Sequence, residues 1–202
     1  HPIRIGIDAS GGSRFNGTIG AVEVTGKAIT AQEAAALAAS EPKTGTPAET
    51  KAPDFSGGLT IAAWIKPAEN PFGRIVDKIS VGGSDGFLLD SPDGGRLRLI
   101  IGSAIIQTPA NILKPGAWQH VAATYDPKSG AMAVFLNGKT AAGPASALSG
   151  TGSQKHGLFI GADKVASEAA SMTVGKAHTL QRYMQACAGR GRIRVSRSIS
   201  FS

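Results

Sequence analysis

With Cys187 as its only cysteine, the chain can close no intrachain disulfide and can build no thiolate metal cluster. Aromatic side chains are also scarce, at 5% of the residues, so few rings are available to stack on bases or sugars. No apolar run approaches the ~20 residues that cross a bilayer, and no basic stretch followed by an apolar one opens the chain, as an intact signal peptide would. Membrane insertion is therefore not expected, and an exported form would already have lost its signal. Acidic residues are absent from Lys176 onward, where six basic ones stand: Lys176, Arg182, Arg190, Arg192, Arg194 and Arg197. Of the 21 basic side chains, 15 remain before Lys176 against 14 acidic ones, so six of the seven net positive charges belong to one tail. That tail lacks the interleaved aromatics that hold single strands. A solvated or strand-edge basic face is expected there rather than a nucleic-acid site.

What the sequence has in quantity is glycine, 27 residues, which favours tight turns between short strands over long helices. In "FNGTIGAVEVTGKAIT" (15–30), Val22 and Val24 alternate with Ala21 and Glu23, the period of a half-buried strand. Thr30 then stands three residues before Glu33 and ahead of an Ala/Leu run, the capping-box start of a short helix. "EPKTGTPAETKAP" (41–53) has no apolar periodicity and reads as a linker. From Asp54 the texture changes to strands separated by turn signals: "GLTIAAWIKP", "GRIVDKIS", "GFLLDS", "GRLRLIIG", "WQHVAATYD", "AMAVFLNGK" and "GLFIGAD". Their spacing predicts an all-β, two-sheet antiparallel jelly-roll sandwich with one or two short peripheral helices. Asn137-Gly138, flanked by extended segments, is the strongest hairpin signal. The expected core includes Ile61, Leu97, Leu99, Val121, Tyr125, Val134, Leu136 and Ile160.

"FSGGLTIAAWIKPAE", "GRIVDK", "DGFLLDS" with "GGRLRLIIG", "LKPGAWQHVAATYDPKSGAMAVFLNGK" and "GLFIGAD" resemble successive strands of the laminin-G-like, concanavalin-A-like lectin/glucanase jelly roll over about residues 54–163. The most specific element runs from Trp118-Gln119-His120-Val121 through Tyr125-Asp126 to Leu136-Asn137-Gly138, similar to the family's W-x-H-V…Y-D…V-N-G signature. The family's closing strand and helix have their better likeness at the front of this chain, over 3–38. There Gly20-Ala21 replaces the usual acidic pair. The chain thus holds "HPIRIGID" (1–8) and "HGLFIGAD" (156–163), two versions of one closing segment. After the second comes an insertion, 164–189, with Leu180, Tyr183, Met184 and Cys187 at helical spacing, and then the basic "GRIRVSRSIS". The domain expectation is accordingly residues 1–40 as terminal strands and helix of such a unit (a permuted closure or the tail of a preceding repeat), 41–53 as linker, and 54–202 as a jelly roll with an atypical basic end. Residues 3–30 are expected to add central strands to the sandwich, with the basic copy at an edge or reaching toward another chain.

Catalytic signals are weak. "GGSDG" (82–86) fits G-x-S-x-G, but a strand and turn follow where a nucleophile elbow needs a helix, so Ser84 reads as part of a β turn. His120 lies in strand periodicity and reads as a satisfied structural histidine, and the four histidines show no zinc-ligand spacing. Retaining glucanases need two carboxylates about 5 Å apart, and no E-x-D-x-E run supplies them here. No catalytic residue is assigned. Related jelly rolls hold calcium on loop carboxylates, and Asp77, Asp85 and Asp90 bracket one loop; the competing reading makes Asp85 and Asp90 turn formers beside Gly86 and Pro92. Trp64 and Trp118 sit inside strand motifs, where core packing is the ordinary use, which leaves Phe72 in "NPFGR" as the exposed aromatic candidate. The candidate binding residues are therefore Asp77, Asp85, Asp90 and Phe72, with calcium the one cofactor considered. The resemblance implies a secreted, cell-surface or periplasmic recognition module for a glycan or an extracellular protein, such as an accessory domain of a glycan-processing protein. The alternative is an assembly module that self-associates by strand exchange between chains.

Overall fold

Asn137 and Gly138 both take positive φ, 49° and 76°, and the chain reverses there between two paired strands. Only this geometry matches the twist of its flanks, and Asn-Gly reaches it with little strain. The structure, a computed structural model, describes residues 3–40, 54–146, 192–195 and 199–201. In chain order its elements are β1 (Arg4–Ile5), β2 (Gly17–Thr25), α1 (Ala31–Ala39), β3 (Leu59–Pro67), β4 (Gly73–Lys78), β5 (Phe87–Ser91), β6 (Arg98–Ile101), β7 (Ala104–Gln107), β8 (Gln119–Tyr125), β9 (Ala131–Leu136), β10 (Lys139–Ser146), β11 (Arg192–Val195) and β12 (Ile199–Phe201).

These strands form two antiparallel sheets, as the turn spacing predicts. One is five-stranded in the order β1-β4-β5-β6-β7. The other is seven-stranded, β10-β9-β8-β3-β2-β11, with β12 also pairing β2. The first half of β2 takes β12 and its second half takes β11. Period-two alternation decides which side chains meet between the sheets. Ile61, Ala63 and Ile65 point inward from β3, Val121, Ala123 and Tyr125 from β8, and Leu89 and Leu99 from β5 and β6. Ile3, Ile5, Phe15, Ile19, Val22 and Val24 complete the same cluster from the front of the chain. Each such aliphatic side chain contributes about 1.5–3 kcal/mol on burial. Of the expected core, Ile61, Leu97, Leu99, Val121, Tyr125 and Val134 are fully buried, Leu136 is half-buried beside the hairpin turn, and Ile160 lies outside the described residues. The segment 164–189, with its helical spacing, also lies outside them.

The outer face of the seven-stranded sheet carries Ala62, Ala122 and Phe135, and α1 covers them with Ala34 and Leu37. The helix starts as its capping box dictates. The Thr30 hydroxyl accepts from the Glu33 N–H at 3.2 Å, and the Thr30 N–H donates to Glu33 Oε2 at 2.7 Å. The Lys27 ammonium, 2.7 Å away, and those bonds hold the Glu33 carboxyl down at about 2. Alanines let helix and sheet approach closely. A Cβ at Gly138 would stand 2.7 Å from the Ala35 Cα, so the β9–β10 turn packs against the helix only because a glycine is there.

Candidate functional site

The outer face of the five-stranded sheet is charged. Arg4 lies directly opposite Asp77, and Asp90 lies between Arg74 and Arg98. Asp77 Oδ1 accepts from Arg4 Nε at 3.0 Å and Nη2 at 2.6 Å, and both side chains are 1% exposed. Asp90 accepts from Arg98 Nε at 3.0 Å and Nη2 at 2.7 Å, and from Arg74 Nη1 at 2.5 Å. Arg74 Nε stands 3.4 Å from the second oxygen of Asp77, so one ladder runs Arg4, Asp77, Arg74, Asp90, Arg98. Burial pushes the Asp77 carboxyl up, with Arg4 pulling the other way, and the bond to Asp90 raises Arg98.

Two of the four residues singled out from the sequence, Asp77 and Asp90, are thus brought onto one face and linked through Arg74. Asp85 instead accepts from the Ser80 N–H at 2.9 Å and the Ser80 hydroxyl at 2.8 Å, which ties together the turn between β4 and β5. Among the described residues no three of His, Cys, Asp and Glu come together as a group that could hold a metal ion. Ser84 is exposed in that same turn between antiparallel strands, without the strand-to-helix elbow a nucleophile requires. Phe72, just before β4, is 49% exposed, and the Asn16 N–H donates to its carbonyl at 2.8 Å.

The outer face of the seven-stranded sheet beyond the helix is aromatic. Trp118, just before β8, is 42% exposed, and Trp64 is half-buried; neither joins the core, contrary to the sequence expectation. The reason is local. The pairing of β2 with β3 slips between Ile19 and Val22, leaving Gly20 and Ala21 as a bulge beside Trp64. A Cβ on Gly20 would lie 3.2 Å from Trp118 Cζ3 and 3.3 Å from the Trp64 Cβ, so the missing side chain lets the Trp118 ring lie against the strand. Lys114 and Gln119 hold the loop that presents Trp118: the Lys114 N–H donates to Gln119 Oε1 at 3.1 Å, and Gln119 Nε2 donates to the Lys114 carbonyl at 2.9 Å.

His120 stands opposite Trp64, their rings edge to face at 5.4 Å between centroids. Its backbone is locked by Asn137, whose Oδ1 accepts from the His120 N–H at 2.9 Å. Its Nδ1 is buried with no hydrogen-bond partner, which corrects the reading of a satisfied histidine. Burial lowers its pKa to about 4 against the opposing pull of Glu23, so the imidazole is neutral at pH 7. Sequence reasoning passed over this patch, although an isolated glycine inside a strand pattern is a bulge signal.

A family model described as the concanavalin A-like lectin/glucanase superfamily, of laminin-G type, matches residues 42–187. The chain belongs to this superfamily. A comparison with curated proteins gives no match. Within the matched span the laminin-G-type strands are β3 to β10, while β1, β2 and α1 precede it. Membership points to a carbohydrate- or protein-binding module, and no helix among the described residues is long and apolar enough to cross a membrane.

Proposed function

We propose that the chain is a non-catalytic recognition module of an extracellular protein, and that it binds a glycan through the aromatic patch at Trp118. The observation that carries this reading is an indole 42% exposed, seated on a glycine bulge beside Trp64. An exposed ring held rigid presents a flat apolar face to the C–H side of a sugar at little conformational cost. Phe72 lies toward the same end of the sandwich, since Gly17 pairs Pro67, the Gly116 N–H donates to the Pro67 carbonyl and Asn16 bonds Phe72. Of the four sequence candidates Phe72 joins this reading. The carboxylates of Asp77 and Asp90 are engaged by arginines, and Asp85 is engaged by its own turn.

A glycan array followed by titration of tryptophan fluorescence tests the proposal. Trp118→Ala should lower affinity for the best glycan by tenfold or more, the loss expected of a central aromatic contact, with little change in melting temperature. Full-strength binding by that variant would remove the patch from the site, and turnover of a glycoside by the purified chain would end the non-catalytic reading.

A further inference from the structure

The edge of β4 away from β5 is filled by the front of the chain. Arg4 and Ile5 pair with Asp77 and Val76, the Gly6 N–H donates to the Ile75 carbonyl at 3.1 Å, and the Arg74 N–H donates to the Ser13 carbonyl at 2.8 Å. This β4 slot belongs to the matched laminin-G-type body, whereas its occupant precedes the match. The chain carries a second segment of the same pattern. Aligned from His1 on His156, Leu158 stands for Ile3, Ile160 for Ile5, Gly161 for Gly6 and Asp163 for Asp8. Both segments carry aliphatics at these two positions, the glycine and the aspartate. They differ in charge at the position of Arg4, matched by Phe159, and in size at Pro2 and Ile7, matched by Gly157 and Ala162.

Asp77 reads that difference. Its carboxylate is 1% exposed and takes two guanidinium bonds from Arg4, while Arg4 Nη2 also donates to the Ile79 carbonyl at 2.8 Å. A phenyl ring in place of Arg4 would leave Oδ1 with only the Ile79 N–H at 3.4 Å. Arg74 Nε would remain 3.4 Å from Oδ2 without a hydrogen bond. A buried carboxylate stripped of its hydrogen-bonded counter-ion is strongly unfavourable, whereas exchanging the whole ion pair for apolar groups is tolerated. We propose that Asp77 selects the segment that closes this sheet, admitting one with arginine at the position of Arg4 and rejecting segment 156–163, which carries Phe159 there. The slot is thus a strand-docking surface with a one-residue code, and its occupant is residues 3–8. This goes beyond glycan recognition and does not depend on it.

Hydrogen exchange of the full chain, read by mass spectrometry, tests the selection. In the unaltered protein the amides of 3–8 should be protected far more than those of 156–163. Exchanging the two residues, with Arg4→Phe and Phe159→Arg together, should move protection from 3–8 to 156–163. The ratio of the two should change by about a hundredfold or more, as expected when a buried charge loses the partner that hydrogen-bonds it. Protection that stays on 3–8 in that variant overturns the proposal. Should that variant not fold, Arg4→Phe with Asp77→Leu keeps the slot apolar and removes the code. Its protection ratio should then fall toward unity, and a ratio unchanged from the unaltered protein overturns the proposal equally.

Discussion

On the outer face of the five-stranded sheet the side chains are charged and joined in one ladder, Arg4 to Arg98, whereas on the outer face of the seven-stranded sheet alanines, a phenylalanine and two tryptophans stand among Glu23, Thr60, His120 and Thr124. On the first face each carboxylate sits between guanidiniums and is nearly inaccessible, although Arg74 Nε and Asp77 Oδ2, 3.4 Å apart, make no hydrogen bond. The second face is closed by a helix over one part and left aromatic over the other, where Trp64 meets His120, whose buried Nδ1 has no hydrogen-bond partner. A face whose charged groups are spent on one another has little left to offer a ligand. A face that leaves an indole 42% exposed keeps an apolar plane for the glycan proposed above. On that proposal the two faces divide holding the sandwich together from meeting a partner.

The largest expected effect breaks the charged face. Asp90→Ala removes the shared acceptor of Arg74 and Arg98, both largely buried, and should destabilise the fold by about 3 kcal/mol, measured by urea unfolding. Asp93→Ala, which frees Arg96 from an exposed pair, should leave the unfolding midpoint unchanged. Equal losses in the two variants would mean that burial does not set the strength of this ladder.

Next in size is the response of the aromatic face to acid. The His120 pKa lies at about 4 in the folded chain against an ordinary 6.5, so the unfolded chain binds the proton first as pH falls. The stability held by neutral His120 is complete above pH 6.5 and is lost as pH falls toward 4, amounting to about 3 kcal/mol. His120→Phe should flatten that part of the pH profile. A profile unchanged by the substitution would place the acid sensitivity elsewhere, for instance among the carboxylates of the other face.

How much of this was legible beforehand follows from the range over which each feature acts. The Asn137-Gly138 hairpin, the Thr30–Glu33 capping box and the core positions Leu97 and Leu99 are written within a few residues, and each stands as read. The ladder is not local. Arg4 and Asp77 are 73 positions apart and meet only because β1 lies beside β4 in one register, so Asp77 alone looked like a free loop carboxylate. The two tryptophans were misplaced for a similar reason. Alternation within β3 does not say that its neighbour slips at Gly20 or that α1 stops short of Trp64, and those facts turn an apparent core residue into a surface one.

The smallest effect sharpens the division within the aromatic face itself, between the part under the helix and the part left open. Thr30→Ala deletes the acceptor for the Glu33 N–H while leaving Glu33 free to bond the residue 30 amide and Lys27. The loss of such a cap costs about 1 kcal/mol, which for a chain of this size lowers the melting temperature by about 2–4 °C. Fraying begins at the cap, so the first consequence should be local: faster proteolysis within Ala31–Ala39 and earlier exchange of the Ala62 and Ala122 amides that α1 covers. Trp118 lies outside that cover, and its fluorescence maximum and glycan titration should not move. If Trp118 responds as strongly as the helix does, the two parts of the face are one cooperative unit, and α1 would have to be counted as part of the recognition surface.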